Sequence, residues 1–237
     1  MTTELEHLTA TKYALALHTT TPELGLTISN FADETRSQVW NLGRDLSSHI
    51  HQYLIESIKP QTWADLAFIA VANGPGGFTG TRIGVVTART LGQQLNIPVF
   101  GISTLAAVAW SKCILEIPPT PLKKGGDVRL FVKEAMGDQV IAVEMPAQRG
   151  KVFAAIYQLQ PNALGLTTLL PDTVFTPEAW QETLANWNTS YHLIEAKSGL
   201  AATVTSILEL AYLDWQIGKR PNWSEALPYY GQHPVEV

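Results

Sequence analysis

The stretch LAFIAVANGPGGFTGTRIGVVTARTLGQQLNIPVF (66–100) restricts the possible folds more than any other part of the chain. It opens on an apolar run, LAFIAVA, of the kind that makes a strand buried on both faces. A glycine-rich turn follows, NGPGGFTGT, and then a segment over 79–95 with helical spacing. IPVFGIS (97–103) reads as a second buried strand. Strand, helix and strand in that order imply a parallel crossover, and so an α/β fold.

Glycine turns that lead from a strand into a helix often cradle phosphate. This one fits neither common pattern. A P-loop requires Lys after its last glycine, and here Thr81 and Arg82 follow Gly80. The dinucleotide pattern fails because Thr79 stands where its third glycine should be. The loop and helix-start residues singled out are Gly74, Gly76, Gly77, Thr79 and Thr81. Gly76 and Gly77 allow a tight turn off the strand. Thr79 or Thr81 is expected to cap the helix.

The helix itself carries Gly80, Gly84, Ala88 and Gly92 four residues apart, a shallow stripe along one side. Each glycine costs about 1 kcal/mol in helix propensity relative to alanine, so close packing must compensate. Two kinds of packing stay open. The stripe can press on its own sheet, or it can receive a helix of another chain.

Around this centre the pattern is that of a mixed α/β chain. YALALHTTTPELGLTISN (13–30) predicts a hairpin turning at Pro22 and Glu23. The segment 42–58 predicts a helix with Leu46, Ile50, Tyr53, Leu54 and Ile58 on one face, stopped by Pro60. EIPPTPLKKGGD (116–127) reads as a loop. VRLFVKEA (128–135) and QVIAVEMPAQRGKVFAAIYQL (139–159) predict strands, with a hairpin through 147–151. Thr176 followed by Pro177 is a helix start. YHLIEA (191–196) reads as a short strand and 199–219 as a long helix. The second half could be a shorter echo of the first.

Composition narrows the function. With 46% hydrophobic residues and a net charge of −5, the chain can build a core but has no broad basic surface for nucleic acid. Lys123, Lys124, Arg129 and Lys133 form only a local group, read as a solvated loop. Cys113 is the single cysteine, in an apolar helical stretch, which fits a buried inert thiol in a reducing cytoplasm. No signal peptide or membrane-spanning run is seen. His49 and His51 point to different sides of a helix. No paired zinc-ligand motif and no nucleophile elbow occurs. Asp45 and His49 are placed to pair on a helix surface. Glu144, inside an apolar strand, is expected at an edge position facing water.

GPGGFTGTRIGVVTARTLGQQLNIPVFGISTLAAVA (74–109) closely resembles the signature region of the TsaB (YeaZ) family. LALHTTTPELGLTIS (15–29), SGLAATV (198–204) and the terminal ALPYYGQHPVEV are similar to that family as well. The resemblance is weakest over 112–190. It implies an actin-like, Hsp70-like ATPase fold of ribonuclease H type, with two lobes. The first lobe would be 1–103 completed by 199–237, and the second, degenerate lobe 104–198.

The resemblance also implies a role. It makes the chain a non-catalytic subunit, cytoplasmic and without a cofactor, that pairs with the transferase TsaD. Together with the ATPase TsaE it would support formation of N6-threonylcarbamoyladenosine beside the anticodon of tRNA, touching tRNA only through the complex. Without TsaD, self-pairing into a homodimer is expected. His18 stands where an acidic residue would approach metal-bound phosphates, and a histidine cannot hold Mg²⁺ as a carboxylate does. Thr104 and Val108 stand where the catalytic relative has its metal-binding histidines, and Pro146 falls near a second acidic position. The competing readings, an actin-like ATPase or a glycoprotease-like hydrolase, lack their carboxylates and nucleophile. The partner interface is placed on Leu46, Ile50, Tyr53 and Leu54 of one helix and on Gly80, Gly84, Ala88 and Gly92 of the next.

Overall fold

The computed structural model describes residues 5–115, 139–159 and 165–231. These fall into two compact units. One comprises Met1–Thr104 with Gly199–Tyr229, the other Leu105–Ser198 with Tyr230–Val237.

The first unit is built on a five-stranded sheet of order β3-β2-β1-β4-β5. Its strands are β1 (Tyr13–His18), β2 (Glu23–Ser29), β3 (Thr35–Asn41), β4 (Leu66–Ala72) and β5 (Val99–Ile102). β1, β2 and β3 form an antiparallel meander, and β4 and β5 join parallel to β1. β1 and most of β4 are buried on both faces, so their apolar residues do not alternate.

Helix α1 (Leu46–Ile58) and helix α2 (Phe78–Leu95) share one core with a single face of this sheet. Leu46, Ile50, Leu54 and Ile58 of α1 and Val85 and Ala88 of α2 meet Leu15, Leu17, Leu26, Ile69 and Val71 there. The other face is covered by α5 (Val204–Gln216), whose Trp215 ring lies 5.0 Å from that of Phe68. A 3₁₀ turn at Leu200–Thr203 leads into α5, so the helix predicted from 199 begins a turn later. Gly25 of β2 allows that turn to come close, because a Cβ there would overlap the Ala201 carbonyl.

The second unit carries a four-stranded sheet of order β8-β7-β6-β9. Its strands are β6 (Gln139–Pro146), β7 (Val152–Leu159), β8 (Leu166–Phe175) and β9 (His192–Glu195). The predicted hairpin lies between β6 and β7. α4 (Pro177–Ala185) starts as predicted, with the Thr176 hydroxyl accepting the Ala179 N–H. It places Trp180 and Leu184 against Val140, Ala142, Ala154 and Ile156. The meander, then a helix, then a strand parallel to the first repeats the plan of β1-β2-β3-α1-β4. The sheet of the second unit is therefore a shorter topological echo of the first.

α3 (Thr104–Leu115) follows β5 and contains Cys113. The side chain of Cys113, the strand expected over 128–135 and the Lys123, Lys124, Arg129 and Lys133 group lie outside the described residues. Among the described residues, no helix is long and apolar enough to cross a membrane.

Candidate functional site: the glycine loop and the two-helix face

The glycine loop leaves β4 at Asn73 and enters α2 at Gly77. Its interior is occupied by the chain itself, because the turn after β1 fills it. The Gly77 N–H donates to the Thr20 carbonyl at 2.7 Å. A Cβ at Gly76 would overlap that same carbonyl, and one at Gly80 would overlap the Thr19 carbonyl. Gly74, with φ of +111°, presses on the Tyr229 carbonyl. The Tyr229 N–H donates to the Asn73 carbonyl at 2.6 Å, and the Thr104 N–H to the Gly74 carbonyl at 2.8 Å. A phosphate cradle turns backbone N–H groups outward. Here the Gly77 N–H points inward, to Thr20.

The expected threonine cap is corrected by this geometry. Gly77 is the N-cap and no side chain caps the helix. Thr81 is buried, and its hydroxyl donates to the Gly77 carbonyl at 2.8 Å. Thr79 is exposed one residue into the helix.

His18, Thr20 and Thr104 come together beneath the loop. The Thr20 hydroxyl lies 3.1 Å from that of Thr104 and 3.5 Å from His18 Nε2. All three residues are buried, and His18 Nδ1 has no hydrogen-bond partner among the described residues. Loss of solvation holds the imidazole pKa down to about 4, so the ring is neutral at neutral pH. Val108 is buried in α3. No group of three or more His, Cys, Asp or Glu that could hold a metal ion occurs among the described residues.

The helices α1 and α2 assign the residues expected at a partner interface to two faces, and most of them to the buried one. Leu46, Ile50 and Leu54 are at most 4% exposed and belong to the core of the first unit. Ala88 is fully buried and Gly84 and Gly92 are buried beside it. A Cβ at Gly84 would overlap the Thr19 hydroxyl, and one at Gly92 would overlap Val99. Gly80 is half-buried over Thr19. Tyr53 packs on Trp40, ring centroids 4.5 Å apart. The stripe serves close packing of α2 on its own sheet, which leaves Leu46, Ile50, Leu54, Gly84, Ala88 and Gly92 little surface, while Tyr53 and Gly80 stay partly exposed. What α1 and α2 present outward is different. Ile55 is 51% exposed and Val86 54%, among exposed His51, Gln52, Arg82 and Thr90.

Two smaller expectations also change. His49 Nδ1 lies 3.0 Å from the Asp45 backbone carbonyl, not its carboxylate. Glu144 sits on β6, which is flanked on both sides by strands, and accepts the indole N–H of Trp180 at 2.5 Å. Sequence alone showed an odd carboxylate in an apolar strand. The missing signal was Trp180, 36 residues on.

Comparison with known proteins places this architecture. The family model described as TsaD, tRNA N6-adenosine threonylcarbamoyltransferase, matches residues 44–145, which include α1, β4, the glycine loop, α2 and β5. Over most of its length the chain is similar in structure to YeaZ from Pseudomonas aeruginosa. That structure has a TM-score of 0.64 at 21% identity and covers 92% of this chain and 99% of its own. The chain thus shares the α/β fold of that protein.

Sequence relatives narrow the class. TsaB of Bacillus subtilis strain 168, a tRNA threonylcarbamoyladenosine biosynthesis protein, is 34% identical over 120 residues, 51% of this chain. TsaB of Escherichia coli K12 is 29% identical over 100 residues, 42% of this chain. The chain spans 42% and 35% of the lengths of these two relatives. Over these stretches the chain is similar to TsaB proteins.

Proposed function

We propose that this chain is a non-catalytic subunit for synthesis of N6-threonylcarbamoyladenosine in tRNA, and that it acts by pairing with a TsaD-type transferase. The observation that carries the reading is the likeness to TsaB proteins, relatives named for that biosynthesis. The inward-facing glycine loop and the buried His18–Thr20–Thr104 group favour a subunit without nucleotide chemistry of its own. The outward face of α1 and α2, with Ile55 and Val86 at its surface, is the surface assigned to the partner. TsaE joins the larger complex, tRNA is reached through it, and self-pairing occurs when the transferase is absent. The site of action is the cytoplasm.

The test is reconstitution. The purified chain is mixed with TsaD from the same cell and the complex is weighed in solution. The pair is then added with TsaE to tRNA, and threonylcarbamoyladenosine is measured. Failure to pair, or modification that proceeds equally well without this chain, would sink the proposal. Calorimetry of the chain alone with ATP and Mg²⁺ should give no saturable heat, whereas a one-site isotherm would contradict the non-catalytic role.

A further inference from the structure

The charge on the outward face of α1 and α2 runs against the charge of the chain. The whole molecule carries a net charge of −5. Yet α2 has two arginines, Arg82 and Arg89, and no acid, while the only acid within α1 is Glu56. The arginines sit on either side of exposed Val86, at i−4 and i+3. Each guanidinium is held over a ring. Arg82 lies 4.4 Å from the centroid of Phe78, and Arg89 lies 5.8 Å from that of Trp223. Stacking of this kind orders the planar fork and lowers the entropy lost when it meets a carboxylate. We infer that the occupant of this face is a protein surface with an apolar centre and acidic side chains at its rim, and that a second copy of this chain fits less well. The inference rests on the partner-subunit reading above.

The reason is symmetry. A two-fold pair of identical chains presents the same patch from both sides. Ile55 and Val86 would still be covered, but the two arginines of each α2 would find only one acid within the opposed helix pair, Glu56 of α1, and otherwise each other. Like charges brought together at an interface oppose association, whereas opposite charges steer it and fix its register. The device thus biases the chain toward a different partner and away from itself. RNA fits less well than protein, because the centre of the face is apolar and only two cations flank it.

The experiment measures TsaD binding by the full chain at about 50 mM and about 500 mM salt, where screening lengths differ severalfold. The same titration is run with an Arg82→Gln, Arg89→Gln double variant, and self-association is followed by sedimentation. The expected result is a heterodimer weakened about five- to tenfold by salt, and by a similar factor by the double variant. The variant should then have lost most of its salt dependence. Self-association at low salt should be weaker than heterodimer formation. A heterodimer indifferent to both salt and the variant overturns the inference while leaving the pairing intact. So does a homodimer tighter than the heterodimer at low salt. Loss of tRNA binding by the double variant with unchanged TsaD binding would assign the arginines to RNA and likewise overturn it. If no heterodimer forms at all, the partner-subunit reading itself fails, and the inference with it.

Discussion

Gly84 lies directly against Thr19, with no space for a Cβ between them, and the Thr19 hydroxyl donates to the Gly80 carbonyl at 2.8 Å. The helix therefore comes down on the end of β1 with backbone alone. Replacing an exposed helical glycine by alanine gains about 1 kcal/mol in propensity. At Gly84 the sign reverses, because the added methyl must displace Thr19 or lift the helix, at a cost of about 1–3 kcal/mol. Gly84→Ala is expected to lower the urea midpoint, and Gly84→Leu to lower it further. A midpoint that rises with Gly84→Ala would mean that the helix and Thr19 are not in close contact.

Residues one step around the same helices should behave oppositely. Val86→Glu and Ile55→Ser change side chains about half exposed, at 54% and 51%. Surface substitutions of this kind normally alter stability by no more than about 0.5 kcal/mol. Both variants should keep the parent melting temperature and lose affinity for TsaD. Unchanged affinity in both would remove this face from the proposed interface. Ala88→Arg, by contrast, buries a charge in a fully enclosed site and is expected to fail in folding rather than in binding.

Acid should destabilise the first unit through His18. Its folded-state pKa, about 4, lies below the ordinary 6.5, because the buried ring is held neutral. Above pH 6.5 the ring is neutral folded or unfolded and has no effect on the equilibrium. As the pH falls toward 4, the unfolded chain takes up a proton that the folded one does not. Stability is then lost, by roughly 3 kcal/mol in all. Urea midpoints at pH 7, 5.5 and 4.5 should fall, and the fall should be shallower in His18→Leu. Parallel curves for the two proteins would contradict the buried neutral ring.

In the second unit, Trp180 is 2% exposed and its indole N–H has Glu144 as acceptor. Glu144→Leu leaves that donor buried without a partner, at a cost of about 1–3 kcal/mol. Glu144→Gln keeps an acceptor and should recover most of the loss. Denaturation followed by tryptophan fluorescence distinguishes the two variants. Equal stability of Leu and Gln at this position would show that the bond contributes nothing.

Most elements were legible because their sequences carry a clean local signal, an unbroken apolar run, one helical period or a cap. LAFIAVA reads as a buried strand, Leu46, Ile50, Leu54 and Ile58 as one helical face, and Thr176-Pro177 as a helix start. Two strands were not legible. β3, TRSQVWN, is an edge strand with a mostly exposed, polar surface, so no alternation marks it. β8, LTTLLPDTVF, contains Pro171 and is likewise an edge, where a missing N–H is tolerated. The site was legible only by half. Small residues at every fourth position announce a close approach without saying to what. The answer, Thr19 on one side and Val99 on the other, depends on the sheet that α2 lands on. Periodicity likewise picked out the face of α1 that is buried. The exposed Ile55 and Val86 lie off that periodicity, which is why they were passed over.

The return of Gly199–Tyr229 to the first unit has a consequence during synthesis. A ribosome making this chain releases β1 to β5 long before it releases α5, whose Val204, Ile207, Leu208 and Ala211 are buried in the finished unit. Until then Phe68 lacks Trp215, and one side of the nascent sheet has no cover of its own. The second unit is translated in between and is the first whose strands and helix are all available at once. Early-made segments of such a chain wait, exposed to chaperones and proteases, for the last-made helix to close them.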